Sequence, residues 1–338
     1  MTPNEVKRLA GLCGFELAGV AAAAPLSDHR HYQAWVQGGK AGAMGYLTDH
    51  RGDLRADPRL LLPSARSVIC VGKLYNGPEA RSAEFADPDR AWISRYAWGD
   101  DYHEVLRGGL DQLAGALGEH EYKVCVDTAP LLERAYAREA GLGWTAKNTC
   151  LINQQQGSWF FLGELLTSLE IAPDAPPADR CGTCTACIDA CPTQAIAPAG
   201  YELDARLCIA YLTIELRGPI PGEHSASVGR HVFGCDICQD VCPWNRDAPV
   251  TGDARFAPRE MAPELEKLAS LTEAEFSEAF RGSAVRRARY SGFLRNVAIA
   301  MGNTGNAKYG AALERLSASG DVVVSEAAKW GLAQLTPG

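Results

Sequence analysis

Eight of the twelve cysteines fall between Cys181 and Cys242, and their spacing is that of thiolates that bind iron. The first run reads Cys181-Gly-Thr-Cys184-Thr-Ala-Cys187-Ile-Asp-Ala-Cys191-Pro192, which is the CxxCxxCxxxCP pattern of bacterial two-cluster ferredoxins. A second, incomplete run follows as Cys235-Asp-Ile-Cys238-Gln-Asp-Val-Cys242-Pro243, and Cys208 upstream can stand in for its missing first cysteine. In such motifs the cysteine before proline ligates the other cluster. That crossing groups Cys181, Cys184, Cys187 and Cys242 as one 4Fe-4S ligand set, and Cys191, Cys208, Cys235 and Cys238 as a second. Eight thiolates could also hold two tetrahedral zinc ions, but three successive cysteines at two-residue gaps favour iron. Disulfides fit less well, because nothing marks the chain as secreted. Cys13, Cys70, Cys125 and Cys150 read as small buried hydrophobes without chemistry.

Outside this block the residue best placed for chemistry is Asp127, in Val126-Asp127-Thr128-Ala-Pro130. It stands at the exit of a predicted strand just before a predicted helix, where α/β folds put reactive groups. The same position suits a helix N-cap. To donate a proton near neutrality, Asp127 needs a pKa raised by burial beside apolar groups. Gly141-Leu-Gly143-Trp144-Thr-Ala-Lys147-Asn148-Thr149 matches neither a P-loop nor a GxGxxG fingerprint, so no nucleotide is implied. Tyr96-Ala-Trp98-Gly-Asp-Asp-Tyr102-His103 gathers three aromatics and a histidine, a pattern that fits a packed core or a cofactor wall.

The chain has 338 residues, a net charge of −8 and 46% hydrophobic residues. That length implies two or three domains. No stretch approaches about 18 uncharged apolar residues, and the start Met1-Thr-Pro-Asn-Glu-Val-Lys-Arg has no signal pattern, so a soluble, cytoplasmic protein is expected. The acidic total argues against nucleic acid. Locally the balance reverses, for Arg281 to Lys308 contains no acidic residue while Arg281, Arg286, Arg287, Arg289, Arg295 and Lys308 are basic. That segment is a candidate phosphate site or a solvated helical face.

The elements that must position these groups follow from periodicity and punctuation. Thr2-Pro-Asn-Glu5 predicts a capped helix stopping near Gly14. Strands are expected at Phe15–Val20, Ser67–Val71 and Tyr122–Val126, and a hairpin joins Thr149–Asn153 to Trp159–Leu162. Helices are expected at His103–Leu117 and Leu131–Ala140. The fold class is therefore α+β or α/β for residues 1–172, with a two-cluster ferredoxin-like module at 173–250 after the prolines Pro173, Pro176 and Pro177. Residues 251–338 read as a helical, HEAT-like domain.

Taken together, several strings resemble the epoxyqueuosine reductase family. They are Arg55-Ala-Asp57-Pro58, Tyr96 to His103, Val126 to Pro130, Gly141 to Thr149, Trp159-Phe-Phe-Leu-Gly-Glu164, Tyr211-Leu-Thr-Ile-Glu215, and Gly234-Cys235-Asp-Ile-Cys238-Gln-Asp-Val-Cys242-Pro243-Trp244-Asn245. The resemblance runs over residues 1 to about 250. It implies reduction of the epoxide of epoxyqueuosine at the wobble position of a transfer RNA, the last step of queuosine synthesis. It also implies cobalamin fed by two 4Fe-4S clusters, a nitroreductase or reductive-dehalogenase type of catalytic domain, and Asp127 as proton donor. Arg55, Tyr96, Asp127, Lys147, Asn148, Ser158 and Leu162 would hold cobalamin, a cofactor that no spacing here reveals. Arg217, Arg230, Arg286, Arg287 and Arg289 would hold the anticodon stem-loop, with a flavodoxin or ferredoxin as electron donor to a monomer. A reductive dehalogenase shares the cofactor pairing, and a pure electron carrier is the non-enzymatic alternative.

Overall fold

The computed structural model describes residues 1–335, and residues 336–338 of the expected helical domain lie outside the described part. Among the described residues there are eight strands: β1 (Leu17–Ala22), β2 (Ser67–Leu74), β3 (Trp92–Ile93), β4 (Tyr122–Cys125), β5 (Trp144–Thr145), β6 (Leu151–Ile152), β7 (Phe160–Thr167) and β8 (His231–Phe233). Four of them form one sheet in the order β1-β2-β7-β4, antiparallel throughout. An antiparallel sheet can dispense with crossover helices between neighbouring strands, so the helices pack on it as α+β layers.

β2 is buried along its whole length because both faces of the sheet are covered. One face packs Ile69, Val71, Phe161 and Leu165 against the helices Pro3–Leu12 and Tyr102–Ala116, through Val6, Ala10, Leu106, Leu110 and Leu113. The first of these helices has Pro3 in its first turn and Thr2 as its cap, accepting from the Glu5 N–H, and ends before Gly14 at φ 90°. The opposite face packs Val68, Cys70, Cys125 and Leu166 against Tyr136 and Ala137 of the helix Glu133–Glu139. Cys70 and Cys125 are thus core residues.

The predicted hairpin between Thr149–Asn153 and Trp159–Leu162 is not formed as expected. Asn153 and Gly157 do bridge across the turn, but β6 pairs with β5 while β7 runs between β2 and β4. The apolar length of β7 is the reason, since only the centre of the sheet buries both of its faces.

A third core is built from three separate stretches of chain. Trp92, Ile93 and Trp98 meet Ile209, Leu212, Val232 and Phe233, and both groups meet Leu265, Phe276, Phe293, Val297, Leu313 and Val324 of the last helices. β3 pairs in parallel with β8, and the buried Asp236 carboxylate accepts from Trp92 Nε1, Ser94 Oγ and the Arg95 N–H.

Candidate active site

β4 ends at Cys125, and the chain leaves it through buried Val126 into Asp127 at φ 49°. A residue with a Cβ rarely adopts this left-handed backbone, and such outliers cluster at functional sites. The Asp127 N–H donates to Glu133 Oε1 at 2.5 Å. Asp127 caps no helix, because the helix starts at Glu133 with Leu132 as its N-cap. Its side chain stays 57% exposed.

His103 stands over this carboxylate. Its Nε2 lies 3.4 Å from Asp127 Oδ2, and its Nδ1 lies 2.7 Å from Asp101 Oδ1. Asp101 also accepts from the His103 N–H and so starts the helix that carries the histidine. Tyr102 stacks between His103, at 4.2 Å, and Phe161, at 4.4 Å, which fixes the imidazole plane. The hydrogen bond that His103 makes to Asp101, then the Asp127 carboxylate facing Nε2, push His103 up to about 9. Asp127 moves the other way. Partial shielding from water opposes ionisation, yet His103, the Tyr102 hydroxyl and the charge of Arg287 together hold it below the usual carboxylate range. The sequence led to the expectation of a raised Asp127; the structure instead stores the proton of the pair on the imidazole, because an aspartate beside a cation favours its charged form.

Arg287 reaches the same place from the basic segment near the C-terminus. Its Nε and Nη2 donate to Glu215 at 3.0 and 3.2 Å, and its guanidinium lies 5.5 Å from the Tyr46 ring. Burial and then the charge of Glu215 push the Tyr46 hydroxyl up to about 12. Arg55 is buried and donates to the carbonyl oxygens of Tyr46 and Arg51, which puts it behind Tyr46. Tyr96 is half-buried and senses the Asp127 charge. Leu162 is half-buried in β7.

The other arginines have different work. Arg230 donates to the carbonyls of Phe85, Asp87 and Arg90, and Arg217 to those of Ile214, Arg287 and Ala288. Arg295 is fully buried on the carbonyls of Leu212, Leu216 and Gly218. These three brace backbone, which corrects the expectation that Arg295 belongs to a phosphate surface, and Arg217 and Arg230, expected to hold the stem-loop, turn their guanidinium groups to these carbonyls instead. Arg286 and Arg289 are exposed beside Arg287.

The cysteines gather around two centres. Cys181, Cys184, Cys187 and Cys242 line a cavity of about 200 Å³ with Lys147, Asn148 and Trp244. Four thiols spread around such a space form a donor set that a 4Fe-4S cluster would use. Cys191 lies close enough to act electrostatically on Cys208 and Cys235, and Cys208 and Cys235 close enough to act on Cys238. Lys147 Nζ donates to the carbonyls of Gly182 and Cys184, and Asn148 Nδ2 to that of Cys238. Ser158 Oγ accepts from Gln239 and Asn245. These three side chains therefore fasten the sheet domain to the cysteine segment.

The strings that carry this site have counterparts in known proteins. The family model described as epoxyqueuosine reductase QueG, DUF1730 matches residues 55–128, and that of a 4Fe-4S double cluster binding domain matches residues 180–245. An epoxyqueuosine reductase of Xanthomonas campestris is 42% identical over 97% of this chain and 95% of its own length. The chain belongs to the epoxyqueuosine reductase family of oxidoreductases. Solved epoxyqueuosine reductases share its fold. One, crystallised with a tRNA-Tyr epoxyqueuosine-modified stem loop, has a TM-score of 0.87 at 30% identity, covering 98% of this chain and 89% of that one. Another, from Bacillus subtilis with its catalytic aspartate loop swung out of the active site, has a TM-score of 0.77 at 28% identity and covers 98% of both chains. The first family match runs from Arg55 to the residue after Asp127, and the second spans all eight clustered cysteines.

Within that family frame, several site residues escape a reading of local strings. His103, Glu133, Tyr46 and Glu215 reach Asp127 or Arg287 from other parts of the chain. Cys150, read as inert, lies within hydrogen-bonding reach of Cys238. His103 carried a signal as the histidine of an aromatic string, and Glu164 and Glu215 as charged residues closing otherwise apolar strings, but their partners did not.

No helix among the described residues is long and apolar enough to cross a membrane.

Proposed function

We propose that this chain reduces the epoxide of epoxyqueuosine in the anticodon loop of a transfer RNA to the cyclopentene diol of queuosine, in the cytoplasm. The observation that carries the reading is the exposed Asp127 carboxylate, held in a strained turn and paired with a histidine that keeps its proton to about pH 9. Opening the epoxide and leaving a double bond takes up two electrons and two protons and releases one water. The proton stored on His103 passes through the Asp127 carboxylate to the leaving oxygen, and the second proton comes from water.

The electrons require one-electron carriers, and the cysteines fit two 4Fe-4S clusters fed by a flavodoxin or ferredoxin. The cavity lined by Cys181, Cys184, Cys187 and Cys242 supports the crossed ligand set. Cys191, Cys208, Cys235 and Cys238 would hold the second cluster. When bound, cobalamin supplies a low-potential cobalt centre for the substrate carbon. The Asp127 carboxylate is exposed, and the hydroxyls of Tyr46, Tyr96 and Tyr102 lie within reach of its charge, a polar setting in which a cofactor would be held. Arg55, Tyr96, Asp127 and Leu162 would contact it directly, with Lys147, Asn148 and Ser158 at the seam to the clusters.

The solved relative with a bound stem loop supports a transfer RNA partner. Arg286 and Arg289 would hold phosphates while Arg287 and Glu215 meet the flipped nucleotide. In this reading residues 1–172 carry the chemistry, 173–250 the wire, and 251–338 a HEAT-like platform for RNA, the whole acting as a monomer.

The test is anaerobic reconstitution with iron, sulfide, cobalamin and a low-potential reductant, followed by nucleoside analysis of epoxyqueuosine-containing transfer RNA. Queuosine should accumulate. Asp127→Asn should lower turnover by about 100- to 10,000-fold with cluster and corrinoid absorbance intact, and retained turnover would remove the acid role.

A further inference from the structure

Behind Asp127 stands a second pair of carboxyl groups that the reaction as described leaves unused. Glu164 lies in the middle of β7, in register with Cys70 of β2 on one side and Cys125 of β4 on the other. It is wholly buried, and among the described residues neither of its carboxyl oxygens has an assigned hydrogen-bond partner. The polar group facing it is the carboxyl of Glu133, which half-buries itself at the start of the helix Glu133–Glu139. Around this pair are the thiols of Cys70 and Cys125, the Tyr102 hydroxyl, the Asp127 carboxylate and the more distant Arg134. Two carboxylates at such a place cannot both ionise, so the pair retains a proton. Removal from water, then the charge of Asp127, pushes Glu133 up to about 8.

The geometry gives Glu133 a task. Its Oε1 takes the N–H of Asp127, so it ties the first residue of the turn to the helix that follows. Backbone bonds inside the turn are of the narrow i to i+2 kind, from Thr128 to Val126 and from Leu131 to Ala129. A left-handed aspartate on so slight a frame persists only where neighbours over-determine it. We propose that Glu133 is a positioning residue for the reduction: backed by Glu164, its carboxyl group locks the Asp127 turn in the conformation that presents the acid to substrate.

This rests on the reading of Asp127 as proton donor, and the experiment separates the two. Glu133→Ala and the volume-preserving Glu133→Leu both delete the acceptor, so at least one well-folded variant is expected. Each should lower kcat about 100-fold, the scale of a misplaced catalytic group, while KM for the modified stem loop stays put. Glu133→Gln keeps an amide oxygen for the Asp127 N–H and offers an NH₂ to Glu164, and should restore most of kcat. Hydrogen exchange in the reconstituted holoenzyme gives a second readout. The Asp127 amide should exchange about tenfold faster in the Ala and Leu variants and return to the wild-type rate in Gln.

Wild-type kcat in Glu133→Leu beside an inactive Asp127→Asn would overturn the positioning role and leave the acid standing. An unchanged Asp127 amide in both acceptor-less variants would overturn it as well. An active Asp127→Asn would instead remove the acid, while the exchange rates still decide whether Glu133 holds the turn.

Discussion

The proton of the site rests on His103 because two carboxylates flank it. Asp101 holds Nδ1 and Asp127 faces Nε2, so both ring nitrogens meet a negative group. A histidine raised to about 9 keeps its proton below that pH and releases it above, so the acid form of the pair is full at neutrality and empties as pH rises through about 9. Turnover should therefore fall on the alkaline side with a midpoint near 9, measured as single-turnover queuosine formation with prereduced enzyme. His103→Gln keeps a donor toward Asp127 but carries no titrating proton. It should slow turnover by about 100-fold and erase that limb, and an unaltered limb in the variant would place the ionisation elsewhere. This pairing could not be read from the sequence, although both residues could. The gathering of the cysteines is legible because most of them stand at spacings of two and three residues, and the place of Asp127 because it stands just past the end of a strand. His103, Glu133 and Arg287 act on Asp127 through tertiary folding, which local strings do not encode.

Among the elements, the turn from Arg281 to Arg289 shows how composition misleads and then helps. The acid-free segment reads as one basic surface, yet its arginines divide by direction. Arg295 points into the protein and satisfies carbonyls at the C-terminal end of the helix Ile209–Ile214, whereas Arg286 and Arg289 point out. A sequence without known helix phase cannot separate the two kinds. The same limit explains the hairpin, where the strands Leu151–Ile152 and Phe160–Thr167 were both legible but their partners were not. The division makes a sharp contrast for RNA binding. Arg286→Ala with Arg289→Ala should reduce the slope of log binding constant against log salt by about 2, close to one unit for each phosphate that no longer meets a cation. Arg230→Ala should leave that slope alone and lower the melting temperature, since it removes a brace between the Phe85–Arg90 strip and β8. Equal slopes for the double variant and the parent would take Arg286 and Arg289 off the RNA surface.

At the scale of the whole molecule, the last helices are part of the scaffold that supports the cysteines. Phe293 and Val297 close the core around Val232 and Phe233 of β8, and Asn296 donates to the carbonyls of Thr213 and Val232. β8 leads directly into Cys235, and the helix Ile209–Ile214 starts directly after Cys208. A chain cut after residue 250 would expose Trp92, Ile93, Ile209, Leu212, Val232 and Phe233. At about 1.5–3 kcal/mol for each side chain, the loss rivals the entire stability of a typical domain, about 5–15 kcal/mol. The truncated protein should therefore lose the second cluster as well as RNA. After reconstitution, iron should fall from about eight toward about four atoms per chain, with a matching loss of cluster absorbance and with aggregation. A tail that served only as an RNA-binding appendage would predict the opposite, full iron with binding alone abolished. That result would detach the helices from the electron path and leave the sheet domain and cysteine segment as the folding unit.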